Sequence, residues 1–501
     1  MRSRLCGNRR LMAVLGGVLL GVSGEVAAAD PADAMAQVLG ELDRGFETGP
    51  EGAAPAGSWW SELQFPALND WIEEALRDNH SLQAAWERTQ VARQGSHQVA
   101  SALLPSVQAQ GGYSQNSTEG LLQQLAWQTG GQVSEEILNY LGDQYETYSW
   151  SLAGTWALDV FGVSTHAWLA SRWDAEAAEG QRVAQTLSVA TQTGMAVVDW
   201  MTAREVLRLL ESQLTAQEEL MSQTQSRFER SEAGGLDVLL QRQQLAATQA
   251  SLPAARAQVR RAKGVLALLL GKTHAELDGA EALLPEQLPE PRLPTGMGTV
   301  SELLLTRPDL RVASAGLHAA DRRKVSAWMG LLPSIALSGS TGDAGQKIGA
   351  GSDWQTAGTW SIGVSASFPI FSGGRQVAAA RGASAAARGA LYDFQGVALN
   401  AVRDVEDAWT TLESAHAEVL AHKAQVEAAS ESAKVAQDLY LSGVLPYINL
   451  LSAQQALAQA KMTFVSAQRS RLAAHVTFHD ALGARWALSL DRNNPEPEGV
   501  R

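Results

Sequence analysis

Two periodicities run through the chain, and each occurs twice. From His166 to Arg230 no proline intervenes, and Val183, Leu187, Ala190, Gly194, Val197 and Met201 recur at alternating steps of four and three. A second stripe follows as Leu207, Leu210, Leu214, Met221 and Phe228. The later half repeats the theme with Phe394, Ala398, Ala401, Val405, Ala408, Leu412, Ala415 and Val419. Heptad spacing sustained this far predicts coiled-coil helix, about 65 residues long and so roughly 100 Å. Each long helix is broken once, at Ser231-Glu232-Ala233-Gly234-Gly235 and at Ser442-Gly443-Val444-Leu445-Pro446, and helical spacing then resumes to about Leu270 and Leu482. Both breaks read as tight tips of αα-hairpins.

The other period is two. Trp150, Leu152, Trp156, Leu158 and Val160 share one strand face, with Ser149, Ser151, Thr155 and Asp159 on the other; Trp360, Ile362, Val364, Phe368 and Ile370 stand against Ser361, Ser365 and Ser367. One face apolar and aromatic, the other small and polar, fits β-structure with lipid on one side and water on the other. A soluble sandwich with one solvated face has the same pattern. Ahead of each β-region a helix is expected, Trp71 to Ala102 and Ser301 to Gly330, stopped by Pro105 and Pro333.

The order of elements is thus written twice. Asp78 to Leu82 aligns with Thr306 to Leu310, and Leu103-Leu104-Pro105-Ser106-Val107 with Leu331-Leu332-Pro333-Ser334-Ile335, both at an offset of 228. Phe228 to Leu252 aligns with Tyr440 to Phe464 at an offset of 212. A proline-rich connector, Leu284 to Pro294, joins the copies. The expected layout is a secretory signal over 1–29, a variable N-terminal segment over 30–58, a first repeat over 59–284, a proline-rich linker over 285–298, a second repeat over 299–486 and a flexible tail over 487–501.

Composition narrows the setting. Arg2, Arg4, Arg9 and Arg10 precede an apolar stretch from Leu11 to Val22 and the small residues Ala27 to Ala29, the pattern of a cleaved secretory signal; an uncleaved anchor is the alternative. The single cysteine, Cys6, lies in that segment, so disulfides and thiolate sites are not expected in the exported chain. The full chain has 39 basic and 53 acidic residues; without the four arginines and Glu25 of the signal it has 35 and 52, a net charge of −17. With no cluster of Lys and Arg, nucleic acid is excluded as a partner. No run of eighteen apolar residues follows the signal, so a membrane location requires β-structure. Four strands cannot close a membrane barrel, for which about eight are needed, and copies must therefore associate.

Candidate chemistry is sparse. Leu270-Gly271-Lys272-Thr273 resembles the end of a phosphate-binding loop, but Leu266 occupies the position of its first glycine. His475 and His479, one helical turn apart, could supply half a metal site; Val476 stands where a zinc protease has glutamate, and the pair is read as a solvated helix face. Neither catalysis, cofactor nor metal is assigned.

With the paired Leu-Leu-Pro-Ser starts, Leu158-Asp159-Val160-Phe161-Gly162 against Phe368 to Arg375, Thr306-Arg307-Pro308-Asp309-Leu310 and the Trp59-Trp60 entry before Phe65-Pro66-Ala67-Leu68, the chain resembles the TolC family of outer-membrane efflux proteins, in its NodT-type branch. The resemblance implies an α+β membrane protein in which three chains build a twelve-stranded outer-membrane barrel and a periplasmic α-barrel. It implies a passive duct for small molecules, fed by a periplasmic adaptor and a proton-driven inner-membrane pump. A duct for type I protein secretion is the nearest alternative, followed by a pore-free periplasmic coiled coil and an exported enzyme. Carried over by position, Arg227, Ser231, Gly235, Leu236, Ser442, Gly443, Val444 and Leu445 would contact the adaptor. Ser231 replaces the family's first tip glycine and Leu439 its second arginine. Asn449 and Ser452 stand at the positions of an aspartate ring, leaving Ile448 as the constriction and Asp237 as the nearest acidic group.

Overall fold

The computed structural model describes residues 31–45, 58–63, 65–117, 127, 144–294, 296, 306–348 and 353–483. The signal expected over 1–29 and the tail over 487–501 lie outside the described residues. Element order is α1 (Pro31–Gly45), α2 (Trp59–Glu62), α3 (Pro66–Asp78), α4 (His80–Ala100), β1 (Ser106–Ser117), β2 (Gln144–Leu158), α5 (Val163–Glu229) and α6 (Gly235–Leu269). Then come α7 (Pro308–Met329), β3 (Ser334–Ile348), β4 (Gln355–Ser367), α8 (Arg375–Leu441) and α9 (Tyr447–Ala481). The chain forms two compact units, and each takes residues from both sequence repeats.

One unit, built from residues 91–175 and 316–390, carries the sheet. Its strands pair antiparallel in the order β1-β2-β3-β4. Directly opposed residues share a face. One face therefore collects Ala109, Leu152, Thr341 and Trp360 in one row, Trp156, Leu337 and Val364 in another, and Val107 and Ile362 between them. The other face is a ladder of hydroxyls: Ser106 meets Thr155 at 2.9 Å, Ser114 meets Thr147 at 2.8 Å and Ser340 meets Ser361 at 2.9 Å. Trp360, Ile362 and Val364 remain exposed within the chain. Val160, Phe368 and Ile370, expected on the strands, lie beyond their ends. Asp159 is not on the polar strand face either: its carboxylate accepts from the Ser164 and Thr165 N–H groups at 3.0 and 2.7 Å and caps α5.

The second unit, 32–90, 176–315 and 391–483 of the described chain, holds most of the buried apolar side chains. Val183, Leu187, Ala190, Gly194, Val197 and Met201 are all buried, as are Phe394 through Val419 at heptad positions. The second expected stripe is not the core one. Leu207, Leu210, Leu214 and Met221 are half-buried and Phe228 is exposed, whereas Gln217, Leu220, Thr224 and Arg227 turn inward. The backbone carbonyl of Gln217 accepts from the Gln241 side-chain amide at 2.9 Å and so ties α5 to α6.

The helix expected from Trp71 to Ala102 is interrupted at Asn79, which is extended. Its side chain accepts from the Ser81 N–H at 2.9 Å and donates to the Leu269 carbonyl, near the end of α6, at 2.8 Å. The second repeat does the same work with other residues: Thr306 donates to the Leu482 carbonyl at 2.9 Å and Arg307 to that of Ala481 at 2.7 Å. Each repeat thus uses residues just ahead of the helix that leads into its strands to satisfy the last carbonyls of its helical hairpin. Gly271 and Gly483 follow α6 and α9 with φ of 67° and 86°, where a side chain would be strained. Gly271 ends a helix rather than a phosphate loop, and Lys272 pairs with Glu74 at 2.5 Å.

The segment expected to be variable, 30–58, contains the helix α1. In α1, Met35, Val38 and Leu42 pack on Leu310, Phe394 and Ala398. The solvated face read for His475 and His479 is overturned: both are buried, and His479 packs beside Phe478 and Trp59. Burial first, and then His479, hold the His475 imidazole well below its ordinary pKa, so the ring is neutral.

Gly194 admits the indole of Trp59, and a β-carbon there would run into the ring. Ala has the better helix propensity by about 1 kcal/mol. Gly194→Ala nonetheless should lower the melting temperature in detergent and redden tryptophan emission as Trp59 leaves its site; an unchanged or raised melting temperature would refute the packing argument.

Candidate functional site

The two hairpin tips are built alike. Helix α5 ends with the Ser231 N–H bonded to the Phe228 carbonyl at 2.9 Å and the Glu232 N–H to the Arg227 carbonyl at 2.8 Å. Helix α8 ends with Gly443 bonded to Tyr440 and Val444 to Leu439, both at 3.0 Å. These paired bonds are the Schellman termination, which needs a left-handed residue after the helix. Gly443 adopts it at φ 79° and Ser231 at φ 59°. The serine accepts a conformation that costs an L-residue about 1 kcal/mol.

A buried polar and aromatic seam joins the hairpins. Arg227 donates to the Tyr440 carbonyl, and its guanidinium carbon lies 4.8 Å from the centre of the Tyr440 ring. Tyr440 meets Tyr447 edge-on at 5.5 Å, and the Tyr447 hydroxyl donates to Gln241. Burial, then Tyr440 and Asp237, push the Tyr447 hydroxyl up to about 12, so it remains a donor. Around the seam Leu220, Ala436, Leu450 and Leu451 are buried.

The residues singled out in the sequence divide accordingly. Arg227 faces the second hairpin and is withdrawn from the surface. Ser231, Gly235, Leu236, Ser442, Gly443 and Val444 are exposed, while Leu445 is half-buried against the Tyr447 cluster. On α9, Ile448, Asn449 and Ser452 are exposed together, on the face opposite buried Tyr447, Leu450 and Leu451; Asp237 is half-buried in the first turn of α6. Gln217, Gln241, Tyr440 and Tyr447 were not anticipated, because polar residues in a heptad position do not read as core. Their regular spacing along the inner face was the only available sign.

The sheet, with one lipid-compatible face, one hydroxyl face and two outer edges that meet no strand among the described residues, defines a subunit of a barrel-forming channel. Among the described residues no helix is long and apolar enough to cross a membrane. The model of the outer membrane efflux protein family matches residues 71–272 and 299–484, and the chain belongs to that family. It is an outer-membrane protein and a duct for export from the cell. It is 24% identical to the pyoverdine export outer membrane protein OpmQ of Pseudomonas aeruginosa, over 88% of this chain and 90% of the relative. Identity is also 24% to nodulation protein T of Rhizobium leguminosarum bv. trifolii, over 86% and 88%. The solved outer-membrane channel OprN is 26% identical and superposes with a TM-score of 0.73, over 87% of this chain and 93% of that one.

The tip geometry sets opposite outcomes for reciprocal substitutions. Ser231→Gly should protect the Glu232 amide from hydrogen exchange by about fivefold, and Gly443→Ala should expose the Val444 amide by fivefold or more, from about 1 kcal/mol of relieved or added strain. Equal exchange in all three proteins would contradict the left-handed assignment.

Proposed function

We propose that three copies of this chain close a twelve-stranded barrel in the outer membrane and that the duct carries small molecules delivered by a periplasmic adaptor and an inner-membrane pump, the latter proton-driven. The observation that carries this is the open sheet: four strands with an apolar face and a hydroxyl face, in which the outer edges of β1 and β4 have no partner strand among the described residues. Unpaired edges cost several kcal/mol per polar group in hydrocarbon, and three sheets joined edge to edge remove all of them. The likeness to a protein named for pyoverdine export supports a small-molecule cargo.

On this reading Ser231, Gly235, Leu236, Ser442, Gly443, Val444 and Leu445 form the surface that the adaptor meets, with Leu236 and Val444 offering apolar area. Arg227 acts one step behind it, fixing the spacing of the hairpins. Ile448, Asn449 and Ser452 line the periplasmic mouth and Asp237 flanks it. The two tips contribute unequally, because Ser231 stands against Gly443 and Asp237 against Asn449.

The assembly is tested by mass measurement of the detergent-purified protein and by planar-bilayer recording. A conducting trimer is expected; a non-conducting monomer would sink the proposal. Gly443→Trp should leave the trimer intact and abolish resistance to exported compounds, and normal resistance would remove the adaptor role from this tip. Loss of a secreted protein, with resistance unaffected in the deletion strain, would instead establish a protein-secretion duct.

A further inference from the structure

Away from the tips and the sheet, three side chains from opposite ends of the chain converge. His475 and His479 are four residues apart on α9 and so share a face. Their rings lie 4.6 Å apart, centre to centre. Glu62, the last residue of α2, places its Oε2 3.6 Å from the Nε2 of each. The three donor atoms all lie within 4.8 Å of one another.

These spacings are longer than a hydrogen bond, which seldom exceeds about 3.2 Å. They are close to the separation of two ligands on one small cation. Bonds of about 2.0–2.2 Å at a tetrahedral angle put neighbouring donor atoms roughly 3.4 Å apart. The imidazole nitrogens are otherwise unexplained: His475 is 0% exposed and neither its Nδ1 nor its Nε2 has a hydrogen-bond partner, and the Nε2 of His479, at 5% exposed, has none either. Buried nitrogens without partners are costly in a folded protein, and a shared ion removes that cost at both Nε2 atoms. Glu62 keeps one side open to solvent, which supplies both an entry path and room for water as a fourth ligand.

We propose that Glu62, His475 and His479 bind one divalent first-row transition-metal ion, with zinc the best fit, and that the ion fastens α2 to α9. Two imidazoles and one carboxylate suit zinc, nickel, cobalt or copper; the hard ions calcium and magnesium need an all-oxygen shell. Trp59 and Phe478 supply an apolar wall on the His479 side. The opposing charge is Arg471, one turn earlier on the same face, which approaches Glu290 only to 4.0 Å. It lowers affinity without occupying a donor. The exposed Glu290 is the acidic group that offsets it.

The test uses the full chain purified in detergent without a histidine tag, stripped with chelator and titrated with zinc against a chromophoric competitor. One zinc per chain is expected, with a rise in melting temperature, and cobalt should give the intense visible bands of tetrahedral coordination. Glu62→Gln, on the exposed side, should fold normally and weaken zinc binding at least tenfold; the His475→Gln/His479→Gln pair should abolish it. No zinc binding by the wild type, or binding equal to that of Glu62→Gln, would leave the three groups as a histidine–carboxylate cluster and overturn the assignment. Zinc binding unchanged in the double histidine variant would place the ion elsewhere and overturn it equally.

Discussion

Every peptide group in hydrocarbon has to find its hydrogen-bond partner within the protein, and a sheet of four strands leaves two of its sides unmatched. The outer sides of β1 and β4 are the constraint from which the rest of the molecule follows. Short side chains on the hydroxyl face keep a watery interior open, and the aromatic face is suited to lipid. Neither face has use for the other's residues. A sheet with this composition is stable only where both environments are present and its edges are met by further strands.

Duplication supplies the four strands economically, but the two copies have not kept the same chemistry. At the foot of the helical pairs, Asn79 holds α6 with an amide, while Thr306 and Arg307 hold α9 with a hydroxyl and a guanidinium. The requirement is common to both: terminal carbonyls near a packed core need donors. Which side chain provides them is free to vary. The Ser231 and Gly443 terminations show the same tolerance, with backbone geometry preserved and one copy carrying extra strain.

Much of this was legible in the residues. Heptad stripes located the first long helix to within a few positions and marked the middle of the second, and Val183 to Met201 and Phe394 to Val419 are buried as their spacing implies. Period-two alternation found β2 and β4 but overran both, because Asp159 and Phe368 continue the parity after pairing has ended. Charge and polarity misled at three places for one reason. Gln217, Thr224 and Arg227 near the tips, Asn79 in the first repeat and His475 with His479 on α9 are polar residues turned inward. A one-dimensional pattern cannot show which polar side chains the packing turns inward. Helix α1 escaped for a related reason, since its partners Leu310 and Phe394 lie in the other repeat.

The seam of Arg227, Tyr440, Tyr447 and Gln241 has a consequence for motion. Apolar surfaces slide across one another through many nearly equal arrangements, whereas hydrogen bonds tolerate only small changes of distance and angle. Hairpins joined by directional bonds therefore do not drift apart by degrees. They keep one register until several bonds give way together, which makes relative movement of the two tips a matter of discrete positions instead of a continuous range.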